Sequence, residues 1–131
     1  MTDWTADYVG LPYAPHGRTR AGLDCWGLVR LVLAERRGLV LPDYGDGYTA
    51  AEDRASVPQA IRSGLREGWV QLERPEPGAL AVFTIGGLPM HCGLLAQSGR
   101  FLHVLKGINV ALERLDAPTW ARRIEGFYRY G

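Results

Sequence analysis

Three side chains in this sequence have the types and spacing for nucleophilic catalysis: Cys25, His91 and His103. The thiolate is the reactive form of cysteine, and the first turn of a helix favours it through unpaired N–H groups and the helix dipole. Cys25 has that address, because it follows Asp24, a good N-cap, at the head of a helical pattern. A thiol nucleophile needs a base to accept its proton, and the base needs a third group to fix its tautomer. His91 falls at the start of an expected strand, and His103 follows twelve residues later on the next one. Each has a plainer reading alone, as a core thiol or a satisfied strand histidine. The conjunction of the three is what points to catalysis.

The pair of histidines carries a geometric condition. If Ser98-Gly99 were a two-residue turn, position 103 would face 94. Side chains alternate along a strand, so 94 and 91 point to opposite sides and the histidines would part. The catalytic reading therefore requires a bulge, an odd-length loop or strong coiling, and Gly99 can supply a G1 bulge. Other sets are weaker. Cys25, His91, Cys92 and His103 could bind zinc, but adjacent His-Cys lacks the usual ligand spacing, and no metal or other cofactor is expected. Cys92 is expected to point away from His91 into the core as packing, and a Cys25–Cys92 disulfide requires an oxidising compartment. His16 reads as solvated, as do the Arg pairs at 36–37 and 122–123. Gly45-Asp46-Gly47 reads as a loop rather than a nucleotide fingerprint.

The elements that must position these residues follow from periodicity and turn chemistry. Residues 3–9 suit a short amphipathic helix ended by Pro12, and residues 13–22 read as loop. The strongest helix runs from the Asp24 N-cap to Gly38, with Leu28, Val29, Leu31, Val32 and Leu33 as a broad apolar face. Thr49 to Glu52 has capping-box form and predicts a short helix, with a second opened by Ser56 and Pro58. From Trp69 the pattern changes to strands, at 79–84, 92–96, 101–105, 110–115 and 126–130. Helices first and antiparallel strands afterwards define an α+β fold rather than a parallel βαβ array.

The 131 residues are 47% hydrophobic and 22% charged with a net charge of +1, which predicts one globular domain over residues 1–131. Only Lys106 among the fifteen basic residues is lysine. The balanced charge gives no footprint for nucleic acid or an anionic membrane. No apolar run reaches the roughly 18 residues of a membrane span. Met1-Thr2-Asp3-Trp4 lacks the basic and apolar regions of a secretory signal, so another carrier is expected if the protein works outside the cytoplasm.

Asp24-Cys25-Trp26-Gly27-Leu28-Val29 resembles the Asp-Cys-Ser-Gly-Leu-Val signature of the NlpC-type cell-wall cysteine peptidases. Tyr8 to Tyr13 is similar to that family's Tyr-Leu-Gly-x-Pro-Tyr, Leu39 to Pro42 to its following loop, and Pro77 to Phe83 to its Pro-Gly-Asp-Leu strand. His91-Cys92-Gly93 stands for His-Val-Gly, with His103 at the spacing of the second histidine. The resemblance implies a papain-like fold, its nucleophile helix packed on an antiparallel sheet. It implies hydrolysis of a peptide bond in the peptidoglycan stem, typically between D-glutamate and the diamino acid. Cys25 would then be the nucleophile, His91 the base and His103 the orienting group, while Tyr13, Asp24 and Trp26 line the substrate pocket. Trp26 replaces the family's serine and Ala79 its aspartate. An aromatic at 26 resembles the phage-tail and gene-transfer-agent branch. That branch implies an enzyme made in the cytoplasm without a signal peptide, carried by tail-tip partners and acting in the periplasm or at the wall. A tail-tip component with little activity, or an amidase or acyltransferase on another substrate, would share the same residues.

Overall fold

A computed structural model describes residues 3–131; Met1 and Thr2, read above as part of a polar start, lie outside the described residues. The chain opens with a 3-10 turn, Trp4–Asp7, rather than a helix over 3–9, and the Asp3 side chain accepts from the Thr5 N–H to start it. The expected loop over 13–22 contains a small hairpin of β1 (Arg18–Thr19) and β2 (Gly22–Leu23). Then comes the long helix α1 (Cys25–Arg37), capped by Asp24 at its start and by left-handed Gly38 at its end.

The helix expected at 49–52 does not form. The Asp53 carboxylate instead accepts from Thr49 Oγ1 and from the N–H and hydroxyl of Ser56. It thereby starts α2 (Ser56–Leu65) and takes the side chain that a capping box at Thr49 would need. Six strands follow: β3 (Trp69–Leu72), β4 (Leu80–Ile85), β5 (Leu88–Leu95), β6 (Arg100–Leu105), β7 (Ile108–Arg114) and β8 (Ile124–Tyr130). A single helical turn, α3 (Pro118–Ala121), precedes the last strand. The sheet is antiparallel in the order β3-β8-β4-β5-β6-β7, giving the expected α+β architecture.

The sheet separates two cores. On one face Leu80, Val82, Cys92, Leu94, Leu102 and Val104 meet Leu28, Val29, Val32 and Leu33 of α1. Each fully buried aliphatic of this kind contributes roughly 1.5–3 kcal/mol, which anchors α1 across β5 and β6. On the other face Phe83, Leu95 and Phe101 pack with Trp120 of α3. Among the described residues no helix is long and apolar enough to cross a membrane.

Candidate active site

The head of α1 is held by backbone contact that only glycine permits. A Cβ on Gly27 would lie 1.9 Å from the Gly17 carbonyl oxygen, and one on Gly17 would lie 2.2 Å from that of Gly22. The β1–β2 hairpin can therefore press against the first turn of α1. From that hairpin Arg18 donates to Asp24 Oδ1 at 2.8 Å and to the Tyr48 hydroxyl at 2.8 Å. Asp24 Oδ1 also accepts from the Gly27 N–H at 2.7 Å, and Oδ2 accepts from the Tyr48 hydroxyl. Asp24 is 1% exposed. Asp24 also lines the cavity beside Cys25. Both oxygens are engaged, and what Asp24 does is hold the helix start.

Cys25 stands at the first position of this helix, partly buried. Its thiol is held down to about 5, first by hydrogen bonding to the Cys92 thiol and then by His91, against burial, which pushes it up. Cys92 is raised well above the ordinary thiol range by the neighbouring Cys25 and by burial, so it remains a thiol. Cys92 does point away from His91, as alternation along β5 demands. It packs in the core as expected, and it also lines the cavity that Cys25 borders.

The condition on the histidines is met by the loop. Leu94 pairs with Leu102 and Leu95 with Phe101, and Ala96 donates its N–H to the Arg100 carbonyl. Residues 97–99 thus form a three-residue connection, with Ser98 and Gly99 both left-handed at φ 60° and 69°. The odd length sets His103 opposite Gly93 rather than Leu94. A Cβ on Gly93 would lie 3.1 Å from the His103 Cβ and 2.7 Å from the Leu102 carbonyl oxygen, so glycine there lets the His103 ring lean toward His91. His91 Nε2 and His103 Nδ1 are 2.8 Å apart. His91 lies inside β5 rather than at its start, three residues after Leu88.

The chain of bonds continues to a residue the sequence did not single out. Glu113 of β7 accepts from His103 Nε2 and, through its other oxygen, from the Trp120 indole N–H at 3.2 Å. Its approach depends on the β6–β7 register, which pairs His103 with Ala111 and sets Glu113 two residues further along the same face. No local pattern announces that. The carboxylate fixes the tautomers in sequence. His103 carries its proton on Nε2, so its Nδ1 accepts from His91 Nε2–H, and the Nδ1 lone pair of His91 is left free as a base. His103 is pushed down to about 4, by burial first and then by His91, with Glu113 opposing. Phe83, Phe101 and Trp120 box both rings, the Trp120 centroid lying 5.5 Å from that of His91 and 4.9 Å from that of His103.

Beside Cys25 opens a cavity of about 70 Å³ between α1, α2 and the sheet, walled by Trp26, Tyr44, Ile61, Trp69 and Met90. Trp26 is fixed by donating its indole N–H to the Pro42 carbonyl at 3.1 Å and by packing on Tyr44 and Trp69. Tyr13 bridges to Leu23 next to the helix head. Its phenol is pushed up by burial and then by the charges of Glu52, Asp24 and Cys25. His16, expected in solvent, stacks on Tyr48 at 4.5 Å and bonds the Thr49 carbonyl. Arg36, Arg37 and Arg122 are exposed and Arg123 is half-buried, with Arg36 lying over Trp4 and Arg123 over Trp120. Among the described residues no group of three or more His, Cys, Asp or Glu is arranged to hold a metal.

An α1 thiol against a histidine relay on an antiparallel sheet is the arrangement of papain-like cysteine hydrolases. The model of the NlpC/P60 family matches residues 10–129, and the chain belongs to that family. It is 31% identical over 123 residues to the murein DD-endopeptidase MepS/murein LD-carboxypeptidase of Escherichia coli (strain K12), covering 94% of this chain and 57% of that protein. It is 28% identical over 126 residues to the gamma-DL-glutamyl hydrolase of Bacillus subtilis (strain 168), covering 94% of this chain and 27% of that one. The chain thus spans little more than half the length of the first of these relatives and less of the second. Its fold matches that of the NlpC/p60 domain of the peptidoglycan hydrolase SagA, with a TM-score of 0.63 and 21% identity over 97% of this chain and 92% of that one. An NlpC/P60 family protein from Bacillus cereus matches with a TM-score of 0.68 and 23% identity, over 94% of this chain and 36% of that one.

Proposed function

We propose that this chain is a cysteine peptidase that cuts peptidoglycan stem peptides. The observation that carries the reading is the bonded series Glu113–His103–His91, which leaves one basic nitrogen free beside a helix-capped, acidified thiol. Cys25 attacks the scissile carbonyl, and the developing oxyanion takes a hydrogen bond from the Cys25 backbone N–H at the helix head. His91 Nδ1 takes the Cys25 thiol proton as the thiolate forms and then gives that proton to the leaving amine. It then removes a proton from the water that hydrolyses the thioester, and Cys25 is released as thiolate. His103 orients His91 and stabilises it as imidazolium.

The relatives named for DD-, LD- and gamma-DL-specific cleavage support a scissile bond flanked by a D-residue. Tyr13 and Trp26 line the approach to Cys25, and the aromatic wall at 26 favours an apolar group where the family signature has a small hydroxyl. Trp26 also supports the phage-tail and gene-transfer-agent branch, and with it a protein made in the cytoplasm, carried on a tail tip and acting at the wall. Antibody labelling of particles for this chain tests that carriage: label at the tail tip supports it, and its confinement to free protein refutes it.

The activity is tested by digesting purified peptidoglycan with the wild type and Cys25→Ala and reading the fragments by mass spectrometry. New amine ends from the wild type alone support the reading. No new ends from either points to a structural tail component. Cleavage that survives Cys25→Ala removes Cys25 as nucleophile.

A further inference from the structure

Two free thiols share one wall. Cys25 from the head of α1 and Cys92 from the middle of β5 line the same cavity and belong to the same packed cluster, where α1 lies across β5. They differ in access: Cys25 is partly exposed, whereas Cys92 is buried on the α1 face of the sheet. That is the division of labour of a redox thiol pair, one sulfur met first by a small oxidant and a second sheltered sulfur within reach of the product.

We propose that Cys92 is the resolving cysteine of a reversible Cys25–Cys92 disulfide, formed when a peroxide oxidises Cys25. The Cys25 thiolate attacks one peroxide oxygen, the O–O bond breaks, and Cys25 becomes a sulfenic acid as hydroxide leaves. The Cys92 sulfur then attacks the sulfenic sulfur. The S–O bond breaks, and the departing hydroxide carries off the Cys92 proton as water. Sulfur loses two electrons in all, and the two peroxide oxygens gain them. A dithiol reverses the step by exchange and restores both thiols. The acidified state of Cys25 speeds the first attack, and the high proton affinity of Cys92 leaves it as the second reactant rather than a competing target. The disulfide shields Cys25 from irreversible sulfinic and sulfonic oxidation while the oxidant lasts.

The proposal rests on Cys25 being the reactive thiol of the proposed function, but its chemistry is read without substrate. Wild type, Cys92→Val and Cys92→Ser are exposed to hydrogen peroxide, digested with and without prior dithiothreitol, and examined by mass spectrometry. In the wild type we expect a cross-linked pair of peptides lighter by two hydrogens, abolished by dithiothreitol. In either Cys92 variant Cys25 is expected to gain two or three oxygens that dithiothreitol does not remove. Peptidoglycan cleavage, followed in parallel, is lost and fully regained in the wild type but not regained in the variants. Wild-type Cys25 that goes directly to the sulfinic acid with no cross-link overturns the proposal, even with cleavage intact before oxidation. A cross-link in a protein that never cuts peptidoglycan sustains the thiol pair and overturns the proposed function instead.

Discussion

Adjacent residues of β5 look into two different environments. Cys92 faces the aliphatic core under α1 and shares it with Cys25, whereas His91 faces a box of Phe83, Phe101 and Trp120 and shares it with His103. The first face contributes a thiol to the site and is otherwise hydrocarbon. The second carries a polar series of three residues through a setting in which an unpaired imidazole would be costly. Every polar group of that series is paired except the His91 Nδ1 kept as the base. Both histidines are buried, His103 fully. The α1 face is thus a fold-building core with one reactive atom at its rim. The aromatic face is a device for presenting one nitrogen.

The largest effect should come from breaking the aromatic face at its presenting end. His91→Ala is expected to lower the cleavage rate by about 10²- to 10⁴-fold, because proton transfer is lost, and also to lower stability, because His103 Nδ1 loses its donor. Unchanged turnover on purified peptidoglycan would remove His91 from the chemistry. Gly93→Ala tests the register that holds the two histidines together. The added methyl meets the Leu102 carbonyl and the His103 Cβ, so we expect a loss of roughly 1–3 kcal/mol in chemical denaturation together with a fall in activity.

Glu113→Gln leaves the box filled but removes the charge that fixes the tautomers. A fall in turnover of about 10- to 100-fold is expected, with substrate binding retained. Equal effects on turnover and binding would mark Glu113 as merely structural. For the α1 face, alkylation of Cys25 should rise with a midpoint near pH 5, while Cys92 stays inert through neutral pH. Equal rates would dissolve the contrast between the two thiols.

The smallest effect is on stability. His103 takes a proton near pH 6.5 when unfolded but only near pH 4 when folded. Between these values the unfolded chain binds a proton that the folded chain does not. The contribution is therefore complete above about pH 6.5 and is lost as pH falls toward 4. His103→Asn should flatten that part of the profile in urea titrations at several pH values, and an identical slope in both proteins would contradict it.

The sequence by itself determined helix α1, since an Asp N-cap, an apolar face and a terminal glycine are all local signals that act within a few residues. It determined the α+β order for the same reason, and it carried the resemblance to the family now matched over residues 10–129. It also stated what the hairpin had to do if the histidines were to meet. Only the tertiary structure decided how that was done. The loop is three residues long, Gly93 clears the space, and Glu113, ten residues beyond His103, arrives through the β6–β7 register. It was likewise packing that closed Asp24 between Arg18 and Tyr48 and brought Cys92 to Cys25. Helix caps are written in neighbouring residues, whereas strand register and the approach of a helix to a sheet are set by side chains far apart in the chain. The candidate residues were therefore legible in order along the chain, and the side chains they meet were not.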